Sequence, residues 1–459
     1  MERACSWGLV QGEETAEVKS PYWRDELSFL RERKSKFLPY GLGRSYGDVC
    51  LNRKGSLIST RWLNRILNFN PQTGILHAES GITLEEIINF ALPKGYFLPV
   101  TPGTKYVTLG GAIANDVHGK NHHIAGTFGH YIKKISLLRS DSESLLEVSQ
   151  EKTPELFSAT VAGLGLTGII VDAEIKLKPV KSAYLEVEYL KFFNLAEFFE
   201  VSKGFSEKYE YTVAWIDTTA RGKSFGRGIM MGGNHTEERA QEDKKCRKPY
   251  FSMPFYLPSF LLNRYSVSLF NFAYFNRIRQ KQIKKIEHFD PFFYPLDIVG
   301  EWNKCYGKRG FFQFQCVVPP KYKVEGIKEI LKEARDSGKV SFLSVIKEFG
   351  SKPSVGMLSF PREGVTLCLD FPNKGEETVK LLKKLEEVVK EMRGALYPAK
   401  DALMSPASFK QFYPRWQEFL KYIDPFFCSS FYYRIIKPLS LEVRAERSKS
   451  FIKEERERV

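Results

Sequence analysis

The chain has 459 residues, 43% of them apolar, which is enough to bury a large core and divide into two domains of ordinary size, and excludes a disordered chain. Its 69 basic and 54 acidic residues leave a net charge of +15, so an anionic partner is expected: nucleic acid, an anionic lipid surface or a phosphorylated substrate. Solvated surface lysines that keep the protein soluble are the plain alternative. The start, MERACSWGLVQGEE, lacks the apolar stretch of a signal peptide, and no run of roughly 20 apolar residues is present, so a cytoplasmic address is expected. The seven cysteines are odd in number and scattered, and read as reduced thiols without a disulfide framework.

In chain order, PYGLGRSYGD (39–48) comes first. Its glycines are one residue off the Rossmann spacing and no acidic ribose ligand follows at the usual distance, yet Arg44, Ser45 and Gly47 are able to embrace a pyrophosphate. Thr83 and Glu86 form a capping box. Leu84, Ile87, Ile88, Ala91 and Leu92 then share one face and Gly95 supplies the stop, so a helix is predicted there.

Residues 102–130, PGTKYVTLGGAIANDVHGKNHHIAGTFGH, hold four of the seven histidines and no carboxylate beyond Asp116. Glycines let main-chain N–H groups approach phosphate oxygens, and the Asn, His and Lys side chains add donors, so this stretch is expected to press against a flat, anionic ligand. His118 and His122 are four apart, but the intervening glycine, the low helix propensity and the lack of a third acidic ligand argue against zinc, and no metal is expected. A second helix is predicted over 154–161. GLGLTG (163–168) fits GxGxxG, yet it stands after a helix and before the strand-like GIIVDAEIKLKPV (168–180), the reverse of a Rossmann order. It is read as a helix-to-strand turn.

From about residue 183, strand-like runs (EVEYLKFF, 186–193; YTVAWIDTT, 211–219; FFQFQCVVPP, 311–320; VTLCLDFP, 365–372) alternate with amphipathic helices (KVEGIKEILKEARDSG, 323–338; EETVKLLKKLEEVVKEM, 376–392). This predicts an α+β domain with an antiparallel sheet. Basic clusters stand at KKCRK (244–248) and RIRQKQIKK (277–285). The segment 249–291 is too polar to span a bilayer, but its aromatic and basic residues suit a membrane interface; an ordinary loop with buried aromatics is the alternative. There is no GxSxG, and Cys368 by pattern is a buried thiol. No RNP, KH or helix-turn-helix pattern supports a nucleic-acid-binding protein, the non-enzyme reading of the charge.

PYGLGRSYGD, then LPVTPGTKYVTLGGAIANDVHGKNHH (98–123), then PELFSATVAGLGLTGIIVDAEIKL (154–177) together resemble the FAD-binding domain of the vanillyl-alcohol-oxidase (PCMH-type) flavoproteins. GRSYGD and HGKNHH are most similar to the decaprenylphosphoryl-β-D-ribose 2′-oxidase subgroup. The resemblance continues through YPLDIVGEWN, FFQFQCVVP, SFLSVIKEFG, LCLDFP and LYPAKD, and weakens in the first 35 residues and from about 220 to 288. It implies a two-domain α+β flavoprotein: an FAD-binding domain (1–182), a substrate domain with an antiparallel sheet and the mobile segment 249–291 (183–394), and a C-terminal return to the FAD-binding domain (395–459).

The resemblance further implies that Pro39, Tyr40, Gly41, Leu42, Gly43, Arg44, Ser45, Tyr46, Gly47, Asp48 and Val49 wrap the FAD pyrophosphate and approach the ring. Gly103, Thr108, Leu109, Gly110, Gly111, Asn115, Asp116, Val117 and His118 would form the opposite wall, with Ile170 near the nucleotide end and Tyr397 reaching back. Tyr46 occupies the first-loop position where relatives carry a linking His or Cys, so non-covalent FAD is expected. Lys400 would lie nearest both flavin and substrate, as a cation or as a base, with Tyr46 and His118 as the other proton-handling candidates. Lys120, Trp215, Gln313, Gln315, Lys347, Thr366 and Cys368 would complete the substrate pocket. The glutamines, at i and i+2, share a strand face suited to sugar hydroxyls. Thr366 stands where the subgroup usually has Asn.

The implied reaction is oxidation of the 2′-hydroxyl of a polyprenyl-phospho-β-D-ribofuranose, the first half of an epimerisation that an NADH-dependent reductase completes. The product would feed arabinose donors for cell-wall arabinan. The electron acceptor would be a quinone or oxygen, and the place of work the inner face of the plasma membrane. An FAD-dependent oxidase of soluble sugars, alditols or aldonolactones is the alternative.

Overall fold

In the computed structural model, residues 4–10, 17–32, 35–238, 245–339, 341 and 343–445 are described; Lys244 of the first basic cluster lies outside them. Short β-branched and leucine-rich runs build the N-terminal half. Val18–Lys19, Ser56–Ser59 and Phe37–Tyr40 form a small parallel sheet in that order. An antiparallel sheet follows in the order Ile66–Asn70, Ile75–Glu79, Ile169–Lys176, Ile132–Leu138, Leu146–Val148.

The helix Leu84–Ala91 packs against this half. The Thr83 hydroxyl accepts from Glu86 N, the Glu86 carboxylate accepts from Thr83 N, and Leu84, Ile87, Ile88 and Ala91 are buried. Gly95 ends the following turn at φ 81°, a conformation that costs an L-residue energy. The helix Pro154–Thr160 and the strand Ile169–Lys176 flank the GLGLTG turn.

Two short helices depart from the glycine-loop expectation. Leu109–Ala114 is capped by Thr108, whose Oγ1 accepts from Gly111 N. Its glycines oppose helix by propensity, but packing decides: a Cβ on Gly110 would stand 2.9 Å from the Ser80 Cβ. His122–Ala125 makes one further turn, so His122 opens a helix and His118 precedes it.

The second half is an eight-stranded antiparallel sheet in the order Gln282–His288, Tyr184–Phe192, Gly228–His235, Tyr211–Ile216, Ser344–Phe349, Gly364–Pro372, Phe311–Val318, Ala395–Leu396. The helices Leu195–Lys208, Lys323–Asp336 and Glu376–Glu391 bury their apolar stripes on one face. The strand Gly228–His235 is hard to read because its glycines oppose strand; a Cβ at Gly232 would stand 2.3 Å from the Tyr209 ring, so the site accepts only glycine.

Segment 249–291 is more than a loop. It holds the helix Arg264–Asn276 and the edge strand Gln282–His288, whose partner is Tyr184–Phe192. Ala395–Leu396 closes the other edge, after which the chain crosses back: Phe427 bridges Phe37 in the small parallel sheet.

Candidate active site

Strand alternation places every second residue of the large sheet on the face away from its helices. In the hydrogen-bonded register Gln313 lies opposite Asp370, Gln315 opposite Cys368, Lys347 opposite Thr366, Val345 opposite Cys368 and Trp215 opposite Val345. That face is the floor of a cavity of ≈1220 Å³, larger than the roughly 300–1,000 Å³ of a pocket for one drug-sized ligand. The glycine-rich segments form the opposite wall.

The cavity brings together Pro39, Tyr40, Gly41, Leu42, Gly43, Arg44, Ser45, Tyr46 and Val49 with Gly103, Thr108, Gly110, Gly111, Asn115, Val117, His118, Ile170 and Tyr397. Lys120, Trp215, Gln313, Gln315, Lys347, Thr366, Cys368 and Lys400 line it as well. Four expected contacts do not line it. Gly47 is pressed on the next chain segment, where a Cβ would stand 1.7 Å from the Asp401 carbonyl oxygen. Asp48 accepts from Arg434 at 2.8 and 2.7 Å. Leu109 is core. Asp116 accepts from Gly129 N at 2.8 Å and from the Ser359 hydroxyl at 2.5 Å. These four hold the wall from behind.

The wall is rich in donors and acceptors left over by the protein. The N–H groups of residues 42–45 have no hydrogen-bond acceptor among the described residues, and Arg44 Nε, Ser80 Oγ, Asn115 Oδ1 and His118 Nδ1 are buried without a partner among them. Arg44 stacks on Trp7, its Cζ 3.9 Å from the ring centroid. Burial lowers its pKa, and Asp297, itself raised to about 6 by burial, opposes that. Unpartnered buried polar groups are costly, so the wall fits a large ligand carrying phosphates and hydroxyls, as FAD does.

Opposite, Lys400 Nζ stands 3.7 Å from the Tyr46 ring centroid. Tyr46 N donates to the Ala399 carbonyl at 2.9 Å, and Arg434 joins Asp48 to Asp401 at 3.0 Å, so the first glycine loop and the Lys400 turn are one rigid unit. Burial lowers Lys400 to about 8, against the raising influence of Cys368 and Asp370. Burial raises Asp370 to about 7 although Gln313 donates to it at 2.6 Å. The Tyr46 phenol is driven well above its ordinary value by burial and by Asp370.

His118 is neutral. Burial and the nearby Lys347 hold it well below the usual histidine range, and Gln315 Nε2 donates to its Nε2 at 3.1 Å, which leaves the ring proton on Nδ1. The Tyr397 hydroxyl donates to the Asn115 carbonyl at 2.9 Å. The Cys368 thiol is pushed up by burial and by Asp370, so it is not a poised nucleophile. No group of three or more His, Cys, Asp or Glu among the described residues is placed to hold a metal.

Trp7, Ser80, Tyr106, Asp297 and Asp370 also line the cavity and are missing from the sequence reading. For Asp370 a signal exists, the alternation continuing past Thr366 and Cys368; for the others no local pattern marks them.

The FAD binding domain family matches residues 22–147. The chain is 35% identical over 396 residues, 84% of its own length and 85% of the relative's, to the decaprenylphosphoryl-β-D-ribose oxidase of Mycolicibacterium smegmatis. It is 28% identical over 352 residues, 74% of the chain and 94% of the relative, to an uncharacterised Streptomyces coelicolor protein. To L-gulonolactone oxidase 5 of Arabidopsis thaliana it is 28% identical over 174 residues, only 36% of the chain and 29% of the relative. The glycine wall, the lysine-bearing sheet face and this likeness along most of its length make the chain an FAD-dependent oxidoreductase of the decaprenylphosphoryl-β-D-ribose oxidase subgroup of PCMH-type flavoproteins.

Proposed function

We propose that the protein oxidises the 2′-hydroxyl of a polyprenyl-phospho-β-D-ribofuranose to the 2′-keto sugar, with dissociable FAD. The observation that carries this reading is one cavity with two unlike walls: leftover donors and glycines on one, and Lys400, Asp370, Gln313 and Gln315 on the other. Residues 39–46, Asn115 and His118 would hold the cofactor, which when bound supplies a two-electron hydride acceptor.

The chain's own residues do the rest. Gln313 is oriented by Asp370 and Gln315 by His118 and Thr366, so both amides are fixed to meet sugar hydroxyls. As hydride leaves C2′, the hydroxyl proton must go to a base in reach; Asp370 near 7 and Lys400 near 8 are matched to that task. Lys400 as a cation stabilises negative charge developing on the acceptor side. Tyr46, with its high pKa, stays a neutral phenol and offers no 8α linkage of the usual kind.

The keto product would pass to a separate NADH-dependent reductase that completes epimerisation toward an arabinose donor for cell-wall arabinan, and the electrons to a quinone or oxygen. No helix among the described residues is long and apolar enough to cross a membrane. Work at the inner face of the plasma membrane is supported by the helix Arg264–Asn276, on which Tyr265, Leu269 and Phe272 are 86%, 70% and 58% exposed. The test is anaerobic absorbance of the purified protein. A short-chain prenyl-phospho-ribose should bleach the flavin while free ribose and xylitol do not, and heat or acid should release the flavin from the chain. Bleaching by free sugars alone would move the assignment to soluble-sugar oxidation.

A further inference from the structure

Lys120 and Lys347 are two half-buried lysines in the cavity wall, neither of them in an ion pair with a carboxylate among the described residues. Each donates to one backbone carbonyl, Lys347 Nζ to Gly119 at 2.9 Å and Lys120 Nζ to Phe293 at 3.3 Å. Their placement is built in. Lys347 comes from the strand Ser344–Phe349, and the Lys120 carbonyl accepts from Thr212 N at 2.8 Å, beyond the point where Tyr211–Ile216 leaves Ser344–Phe349. Two lysines without a carboxylate partner, side by side on one cavity wall, are suited to receive a bound anion.

Resting on the reaction proposed above, we infer that Lys120 and Lys347 clamp the phosphate of a lipid phosphodiester, with its prenyl chain lying along the sheet face toward the edge strand Gln282–His288. The spacing of the sheet decides between the cationic groups available. Lys347 is one strand from Thr366 and Cys368, about 5 Å, on the same cavity-facing side of the sheet as Gln313 and Gln315. Arg277 and Lys285 also line the cavity, but Lys285 is five strands from Cys368, roughly 24 Å, and is paired with Glu287 at 3.3 Å. They stand at the mouth, too far for the sugar phosphate.

Between the two lies an apolar path. From Ser344–Phe349 to the edge strand there are four strand steps, about 19 Å, and the cavity-facing residues along it are Val213, Trp215, Met231, Tyr189 and Ile283. Tyr274 covers the path, its ring centroid 4.8 Å from that of Trp215, and Phe270 stacks on Tyr274 at 5.9 Å. Both belong to the helix Arg264–Asn276, whose outer face is the exposed aromatic surface. A chain leaving this path would emerge where the protein is most apolar outside. Burial and mutual repulsion hold Lys347 near 7 and burial holds Lys120 near 8, and a phosphate would restore both to full charge.

The experiment uses the holoenzyme and two probes, geranylgeranyl phosphate and inorganic phosphate, with binding measured by calorimetry and by perturbation of the flavin spectrum. Lys347→Met and Lys120→Met are each expected to weaken geranylgeranyl phosphate about 10- to 100-fold, the loss of one charged hydrogen bond. Lys347→Arg and Lys120→Arg, which keep the charge, should retain most of the affinity. Inorganic phosphate should bind far more weakly than the prenyl phosphate to the unaltered protein. Equal affinity of the two probes would overturn the lipid path. Unchanged affinity in both Met variants, or equal loss in the Met and Arg variants, would overturn the clamp. Loss of flavin from well-folded Met variants would assign the lysines to the cofactor and overturn it too. If prenyl phosphate binding depends on the lysines but prenyl-phospho-ribose does not bleach the flavin, the subsite stands and the proposed reaction falls.

Discussion

The Lys400 ammonium rests 3.7 Å above the Tyr46 ring, which ties this cavity-lining cation to the first glycine loop. A cation over an aromatic face is held in place without being neutralised, unlike one in an ion pair. Asp401, its neighbour in sequence, is bound instead to Arg434, so it does not neutralise Lys400.

The pH dependence of kcat/KM follows from this pair of groups. A base must be deprotonated, so the rate should climb as pH passes about 7, where Asp370 loses its proton; a required cation must keep its proton, so the rate should fall above about 8, where Lys400 loses its own. Asp370→Asn should erase the lower limb and slow flavin reduction by about 10²- to 10⁴-fold, the usual scale of general-base removal. Stopped-flow absorbance across pH checks both limbs.

Arg434 bridges Asp48 and Asp401 in a buried triad. Arg434→Met would strand two buried carboxylates, and a loss of about 3–5 kcal/mol is expected from urea unfolding. Because the triad joins the glycine loop to the Lys400 turn, flavin retention on gel filtration should drop in the same variant.

How much of this is legible in the sequence differs from residue to residue. The Thr83–Glu86 cap and the Gln313–Gln315 spacing are local patterns, and each sets a feature of the structure directly. Asp48 and Asp116 stand inside the glycine motifs and look like ligand contacts. Their partners, Arg434 and Ser359, are 386 and 243 residues away, and no local pattern reveals that. Asp370 is partly legible: alternation past Thr366 and Cys368 sets it on the cavity face, but only register shows that it stands opposite Gln313. The helix Leu109–Ala114 defies the propensity of its glycines because Ser80 leaves no room for a side chain.

Lys347 also carries a stability signature. The folded chain releases its proton near 7 and the unfolded chain near 10.5, so the unfolded state binds more protons between those values and stability rises with pH across that window. Lys347→Met removes the penalty. The variant should be more stable than the parent by a few kcal/mol at pH 7, with the difference shrinking toward pH 10, as measured by urea unfolding at both pH values.

The exposed face of Arg264–Asn276 predicts membrane attachment. Replacing Tyr265, Leu269 and Phe272 with Ser should abolish co-sedimentation with anionic vesicles while leaving flavin reduction by a water-soluble short-chain substrate near the parent rate. Unchanged co-sedimentation would remove this helix from the membrane contact.

The central claim, hydride removal from C2′ of a lipid-linked ribose, is tested most directly by rapid-mixing anaerobic absorbance with short-chain prenyl-phospho-ribose carrying deuterium at C2′ or at C3′. Bleaching should slow with the C2′ label and keep the unlabelled rate with the C3′ label. Slowing by the C3′ label alone, or a flavin that stays oxidised with every form of the substrate, would contradict it.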